Sequence, residues 1–212
     1  MADTADPRLA RVLVSNDDGI DAPGIKLLER VARELSPEVW VVAPEMEQSG
    51  AGHSLTTRRP IRLIEVGPRR YIVDGTPTDC VLLGLKRLLR GRLPTLVLSG
   101  INGGANVAED ITYSGTCAAA MEATLFGVPA IALSQEYRDR TAIPWSCAEA
   151  FCADAIRRVV AAAEPWPRDT FFNINFPAAS PATVRGFAIT RQGKRVLGDN
   201  LSEGTDPRGR HY

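Results

Sequence analysis

The sequence predicts an α/β fold: a doubly wound, mostly parallel, Rossmann-like sheet with a looser C-terminal β segment. Three observations carry that expectation. Short apolar runs rich in β-branched residues recur at 11–15, 39–42, 96–98 and 130–133, too short for helices and continuous enough to be strands buried on both faces. Stretches with apolar residues at helical spacing alternate with them. The first and third runs break off into clusters of Asn, Asp, Ser and Gly, the composition of a turn.

Taken in order, residues 11–15 form the first strand, ending in Asn16-Asp-Asp-Gly19. Pro23 stands where a helix begins, and Ile25, Leu27, Leu28, Val31, Ala32 and Leu35 follow at helical spacing. Residues 39–42 return as a strand, so the first 30 or so patterned residues are one βαβ unit with parallel strands. A loop of small residues, Gln48 to Ser54, precedes two partly alternating runs at 61–66 and 71–73 that suit a hairpin. Gly75-Thr-Pro-Thr-Asp-Cys80 opens a helix that Thr76 or Thr78 would cap, with Val81, Leu82, Leu85, Leu88 and Leu89 toward the core. After the strand at 96–98, Ser114-Gly-Thr116 starts a helix through 117–126, and residues 130–133 supply the next strand. A helix is expected over 146–163, then strands at 171–176 and 184–190, then a weakly patterned polar tail. The expected division is an α/β domain over 11–190 and a C-terminal extension over 191–212.

The chain has 212 residues, 44% of them hydrophobic, enough for one large domain. Lys and Arg number 25 and so do Asp and Glu, which removes the basic footprint of a nucleic-acid-polymer or anionic-membrane binder. No apolar run approaches the ~18 residues of a membrane span, and the first ten residues lack a signal-peptide pattern. A cytoplasmic protein is the expectation. The four cysteines form no CxxC pair, and with only two histidines any metal site would rest on oxygen donors, favouring magnesium, manganese or calcium over zinc.

In a doubly wound sheet, ligands sit outside the carboxyl ends of the strands. Asn16, Asp17 and Asp18 follow the first strand, Ser49 lies in the loop after the second, and Asn102 and Asn106 follow the strand at 96–98. Adjacent carboxylates in such a crevice repel each other and lose hydration, and a divalent cation relieves both costs. Asn-Asp-Asp-Gly by itself is equally a plain turn. The neighbouring Ser-Gly and Asn-Gly-Gly clusters, and a helix start at Ser114-Gly-Thr116 able to hold an anion on free N–H groups, shift the balance toward a phosphoester site. Gly50-Ala-Gly52 is only half of a dinucleotide fingerprint. His53 is a loop histidine that would stack on a base, donate to a phosphate or do neither.

Together these motifs resemble the SurE (survival protein E) phosphatases. The resemblance rests on Val14-Ser-Asn-Asp-Asp-Gly19 with Ala22-Pro-Gly24, Val42-Ala-Pro-Glu45 with Ser49-Gly-Ala51, and Gly75-Thr-Pro-Thr-Asp-Cys80. Ser99-Gly-Ile-Asn102 with Asn106, and Tyr113-Ser-Gly-Thr116, continue it in the family's order, as do Asn173-Ile-Asn-Phe-Pro177 and Thr205-Asp-Pro-Arg-Gly209. It implies a divalent-metal-dependent phosphomonoesterase acting on nucleoside 5′- and 3′-monophosphates, with polyphosphate as a further substrate. It places one Mg2+ or Mn2+ on Asp17, Asp18, Ser49 and Asn102, the phosphate on Gly50, Asn106, Ser114, Gly115 and Thr116, and catalysis on Asp17, Asp18 and Asn106. Family members usually continue past the Asp-Pro-Arg-Gly segment into strands that help form a homodimer or homotetramer; residues 191–212 are expected to belong to such an arm.

Three other readings compete. A receiver-like signalling domain needs a phosphoacceptor Asp after the central strand and a late Lys, where this chain has Ser99, Asn102 and Ala132-Leu-Ser134. A nicotinamide-dependent oxidoreductase is disfavoured by an acidic first turn, which repels a pyrophosphate that arrives without a metal. A nucleotide-binding module without turnover shares most of the same residues. Two chemical routes stay open, in-line attack by water with Asp17 as a proton acceptor, and a phospho-aspartyl intermediate.

Overall fold

A computed structural model describes residues 6–194 and 202–211. Seven strands form one sheet in the order β3-β4-β2-β1-β5-β6-β7. The strands are β1 (Val12–Ser15), β2 (Val39–Pro44), β3 (Leu63–Gly67), β4 (Arg70–Val73), β5 (Leu96–Gly103), β6 (Ala130–Gln135) and β7 (Phe171–Phe176). All neighbours are parallel except the β3–β4 hairpin. The helices are α1 (Pro23–Leu35), α2 (Pro77–Leu83), the single turn α3 (Asp110–Tyr113), α4 (Gly115–Leu125) and α5 (Ser146–Ala162).

The continuous apolar runs are explained by two cores, one on each face. Val12, Val14, Val41, Leu96 and Leu98 point toward α1 and α5, meeting Ile25, Leu28, Val31, Cys152 and Ile156. Leu13, Val42, Val97, Ala130 and Ala132 point the other way, toward α2 and α4, meeting Val81, Leu85, Cys117 and Ala120. Alternation along each strand therefore serves both layers, and no face is left for polar residues. Small residues let α4 lie close to the sheet, with Ala118, Ala119, Ala120 and Ala123 all buried.

Local chemistry sets the helix starts. Thr76, not Thr78, caps α2: its side chain accepts from Asp79 N–H while the Asp79 carboxylate accepts from Thr76 N–H, a capping box. The α-helix stops at Leu83, and residues Gly84–Leu88 continue as a wider π turn, with Gly84 against Leu13, where a Cβ would stand 2.9 Å from a Leu13 methyl. Ser114 caps α4 by accepting from Cys117 N–H at 3.0 Å. Pro23 begins α1, and Gly24 beside it has its Cα so near β5 that a Cβ would fall 1.9 Å from Ile101 O.

The expected strand at 184–190 is not formed. That segment runs as coil after a 3-10 turn at Pro181–Thr183. Phe187 packs edge-on against Phe151 of α5, with the Arg158 guanidinium over its ring, and Ile189 is fully exposed. Engagement with the helix layer holds the segment away from the free edge of β7, so its apolar residues find no ladder to join. The looser C-terminal β segment is a separate hairpin, β8 (Gly204–Asp206) with β9 (Gly209–His211). Residues 195–201 and Tyr212 of the expected extension over 191–212 lie outside the described residues.

Candidate metal and phosphate site

β1 lies beside β5, and the connections that leave their carboxyl ends diverge, from β1 through α1 to β2 on one side and from β5 through α4 to β6 on the other. This is the topological switch point, where a crevice opens at the carboxyl ends. Asn16 closes the turn there by donating Nδ2–H to Gly19 O at 2.8 Å. Gly19, at φ +96, lets the loop after β2 pack on it, and Gln48 N–H donates to Asp17 O at 2.7 Å. Asp17 and Asp18 are thus fixed side by side between two loops.

Asp17 is buried, and its Oδ1 accepts from Thr116 Oγ1 at 2.5 Å. Burial pushes its carboxyl up, and the Thr116 hydroxyl pulls it back down. Asp18 is partly buried and accepts Gly103 N–H at 3.2 Å, which ties the end of β1 to the end of β5. Burial, and then the charge of Asp17, push Asp18 up to about 6. Neither carboxylate has an ion-pair partner among the described residues. Arg140 favours the Asp18 carboxylate through its charge without forming an ion pair with it, while Glu47 adds negative charge beside both aspartates, so the crevice stays net acidic.

Asn102 sits in an irregularity of β5, where the pairing with β6 shifts between Ser99 and Asn102. Gly100 makes this possible: at φ +137 it lies so close to β6 that a Cβ would come within 2.3 Å of Leu133 O. The Asn102 amide nitrogen donates to Gly104 O at 2.7 Å, which leaves its oxygen as the free end. Ser49 is exposed, and its hydroxyl donates to Glu47 Oε1 at 2.8 Å. Gly50 follows at φ +78 with open space around it.

The expected phosphate residues divide into two groups. Ser114, Gly115 and Thr116 form the start of α4, which abuts Asp17: a Cβ on Gly115 would lie 2.7 Å from Asp17 Cβ. Here the positive end of the helix and the Thr116 hydroxyl already serve Asp17, a contact the sequence does not announce. Asn106 is buried and held by β6 and β7. It donates Nδ2–H to Ser134 Oγ at 2.9 Å and its backbone N–H to Asn175 Oδ1 at 2.8 Å, while its carbonyl accepts from Asn173 Nδ2 at 2.8 Å. Strand-end reasoning does not single out Asn173 and Asn175, although they alternate on one strand and so share a face. His53 is engaged elsewhere: its Nε2 lies 2.8 Å from Oε2 of the buried Glu122 on α4.

The arrangement suits one hard divalent cation. Two adjacent carboxylates form no ion pair among the described residues, and the free Asn102 oxygen and the Ser49 hydroxyl are neutral oxygen donors of the same class. Among the described residues no group of three or more His, Cys, Asp or Glu forms a metal cluster, so a cation here would draw on this mixed set. None of the described helices is long and apolar enough to cross a membrane.

Comparison with known proteins identifies the family. The family model described as Survival protein SurE matches residues 12–199. The chain is 59% identical over 208 residues to the 5′-nucleotidase SurE of Paramagnetospirillum magneticum, covering 98% of this chain and 79% of that protein. It is 52% identical to the 5′-nucleotidase SurE of a Bradyrhizobium species, covering 95% of this chain and 80% of that one. The crystal structure of the SurE protein from Aquifex aeolicus matches with a TM-score of 0.82 at 42% identity, over 94% of this chain and 79% of its own. With the family model matching residues 12–199, which include all seven strands of the sheet, the chain belongs to the SurE family.

Proposed function

We propose that the protein is a 5′-nucleotidase, a phosphoric monoester hydrolase acting on nucleoside 5′- and 3′-monophosphates and also on polyphosphate. The observation that carries this reading is the pair Asp17 and Asp18, adjacent, desolvated and in no ion pair among the described residues, at the switch point of the sheet. Asp17, Asp18, Ser49 and Asn102 would hold one Mg2+ or Mn2+, which when bound neutralises phosphate charge and makes water a stronger acid. The Gly115 N–H, the backbone of Gly50 and the remaining amide N–H of Asn106 would hold the phosphate oxygens and favour in-line geometry, while Ser114, whose N–H already donates to Asp110 O, and Thr116, whose hydroxyl serves Asp17, shape the helix start beside them. Thr116 keeps Asp17 oriented, and Asp17 is the group assigned to accept the proton of the attacking water. Its 5′-nucleotidase relatives support the substrate class. We place the protein in the cytoplasm as a homodimer or homotetramer, with an α/β domain over 11–190 and residues 191–212 in the oligomer-forming arm.

The test is phosphate release from a panel of nucleoside 5′- and 3′-monophosphates and polyphosphate, with Mn2+, Mg2+ or EDTA, for the wild type and Asp18→Asn. Metal-dependent turnover that collapses in the variant is expected. Equal release in EDTA, or an active Asp18→Asn protein, would remove the metal from the mechanism.

A further inference from the structure

One oxygen of Glu47 joins two loops at the mouth of the crevice. Glu47 Oε1 accepts the Ser49 hydroxyl at 2.8 Å and the Arg140 guanidinium at 2.9 Å. Ser49 belongs to the loop after β2 and Arg140 to the loop after β6, so the contact spans the mouth of the crevice. Glu47 and Arg140 are half-exposed or more, and an isolated pair of that kind adds little to stability, about 0–1 kcal/mol. Folding alone gives this arrangement little purpose.

Its chemistry lies in the hydroxyl. A serine hydroxyl has one proton and two lone pairs, and only a lone pair can ligate a cation. Next to two carboxylates, an unrestrained Ser49 would turn its proton toward them and present the wrong end to the metal. With the proton on Glu47, the lone pairs are left free. Arg140 in turn holds Glu47 by the same oxygen that takes the proton. The backbone bond from Gln48 N–H to Asp17 O keeps this loop segment against the carboxylates whichever way the hydroxyl points.

We propose that Glu47, held by Arg140, is a positioning residue that orients the Ser49 hydroxyl as a ligand for the divalent cation. The inference rests on the metal site proposed above and adds to it residues that touch neither substrate nor metal. Outer partners of this kind typically change metal affinity about 10–100-fold, and the exposure of Glu47 puts its effect near the lower end, about 10-fold.

The test is Mn2+ binding to the full chain, read from the electron paramagnetic resonance signal of free Mn2+ without substrate. Glu47→Ala should weaken binding about 10-fold, as should Ser49→Ala, and the double variant should be no weaker than either single one because both remove the same ligand. Glu47→Gln keeps an oxygen acceptor and should stay within about 3-fold of the wild type, and Arg140→Ala should fall between Gln and Ala at position 47. Thermal melts in EDTA confirm that each variant folds. Equal loss in Glu47→Gln and Glu47→Ala would make the effect one of charge and overturn the proposal, as would additive losses in the double variant or unchanged binding in Glu47→Ala. Wild-type protein that binds no Mn2+, or binds it equally well as Asp18→Asn, would overturn the metal site itself, and that result is distinct from the others.

Discussion

Asp18→Asn should stabilise the metal-free protein while it removes turnover. The folded state holds the Asp18 carboxyl at about 6 against an ordinary 3.8, chiefly through burial and the neighbouring Asp17 charge. At about 1.4 kcal/mol for each pH unit, that gap corresponds to about 3 kcal/mol of cost for keeping the ionised form in the fold. Water still reaches part of this carboxylate, so about 2 kcal/mol is the expected net gain on neutralising it. The asparagine oxygen can still accept from Gly103 N–H. The sign follows from linkage: a carboxyl raised in the folded state favours folding most below its unfolded value near 4, and that advantage is lost as pH rises through about 6. In EDTA at pH 8 the variant should therefore melt roughly 4–8 °C above the wild type, and at pH 4 the two should nearly coincide. Saturating Mn2+ should reverse the order, because ligand bound only to the folded wild type adds stability by mass action. Differential scanning fluorimetry across pH, with EDTA or Mn2+, reads all of this. A variant no more stable than wild type in EDTA at pH 8, or a difference that persists unchanged at pH 4, would refute the electrostatic reasoning.

Thr116→Val keeps the volume but removes the hydroxyl that donates to Asp17, and should cost about 1–3 kcal/mol in urea unfolding at pH 8; a smaller loss at pH 3 than at pH 8 would tie the effect to the ionised carboxylate. Gly24→Ala sets a Cβ into Ile101 O and should cost about 3 kcal/mol or more, a loss of at least roughly 6 °C in melting temperature. Asn175→Ala leaves the Asn106 N–H without its acceptor; a loss of about 1–3 kcal/mol is expected, together with a higher KM for nucleotide, checked by phosphate release against substrate concentration. A KM equal to wild type in that variant would separate Asn106 placement from substrate binding.

Much of the site was legible because a parallel sheet sends every strand's carboxyl end to the same side. Once the runs at 11–15, 39–42 and 96–98 are strands, Asp17, Asp18, Ser49, Asn102 and Asn106 have to converge, whatever the loop details. Helix starts were legible because capping is local: Ser114 and Thr76 each act on a residue three positions ahead. The segment 184–190 misled because apolar composition names neither burial nor a partner: Phe187, half exposed, packs on Phe151 of α5, and Ile189 faces solvent.

Local patterning alone thus determined the α/β class, the order of nearly all elements and the residues at the strand ends. Tertiary structure alone decided that Thr116 belongs to Asp17, that Asn173 and Asn175 clamp Asn106, and that Glu47 joins Ser49 to Arg140. Those bonds link residues as many as 99 positions apart. Periodicity and capping are set by neighbours within a turn or two, whereas the partner of a side chain at the mouth of the sheet depends on which distant loop the packing of both faces delivers there.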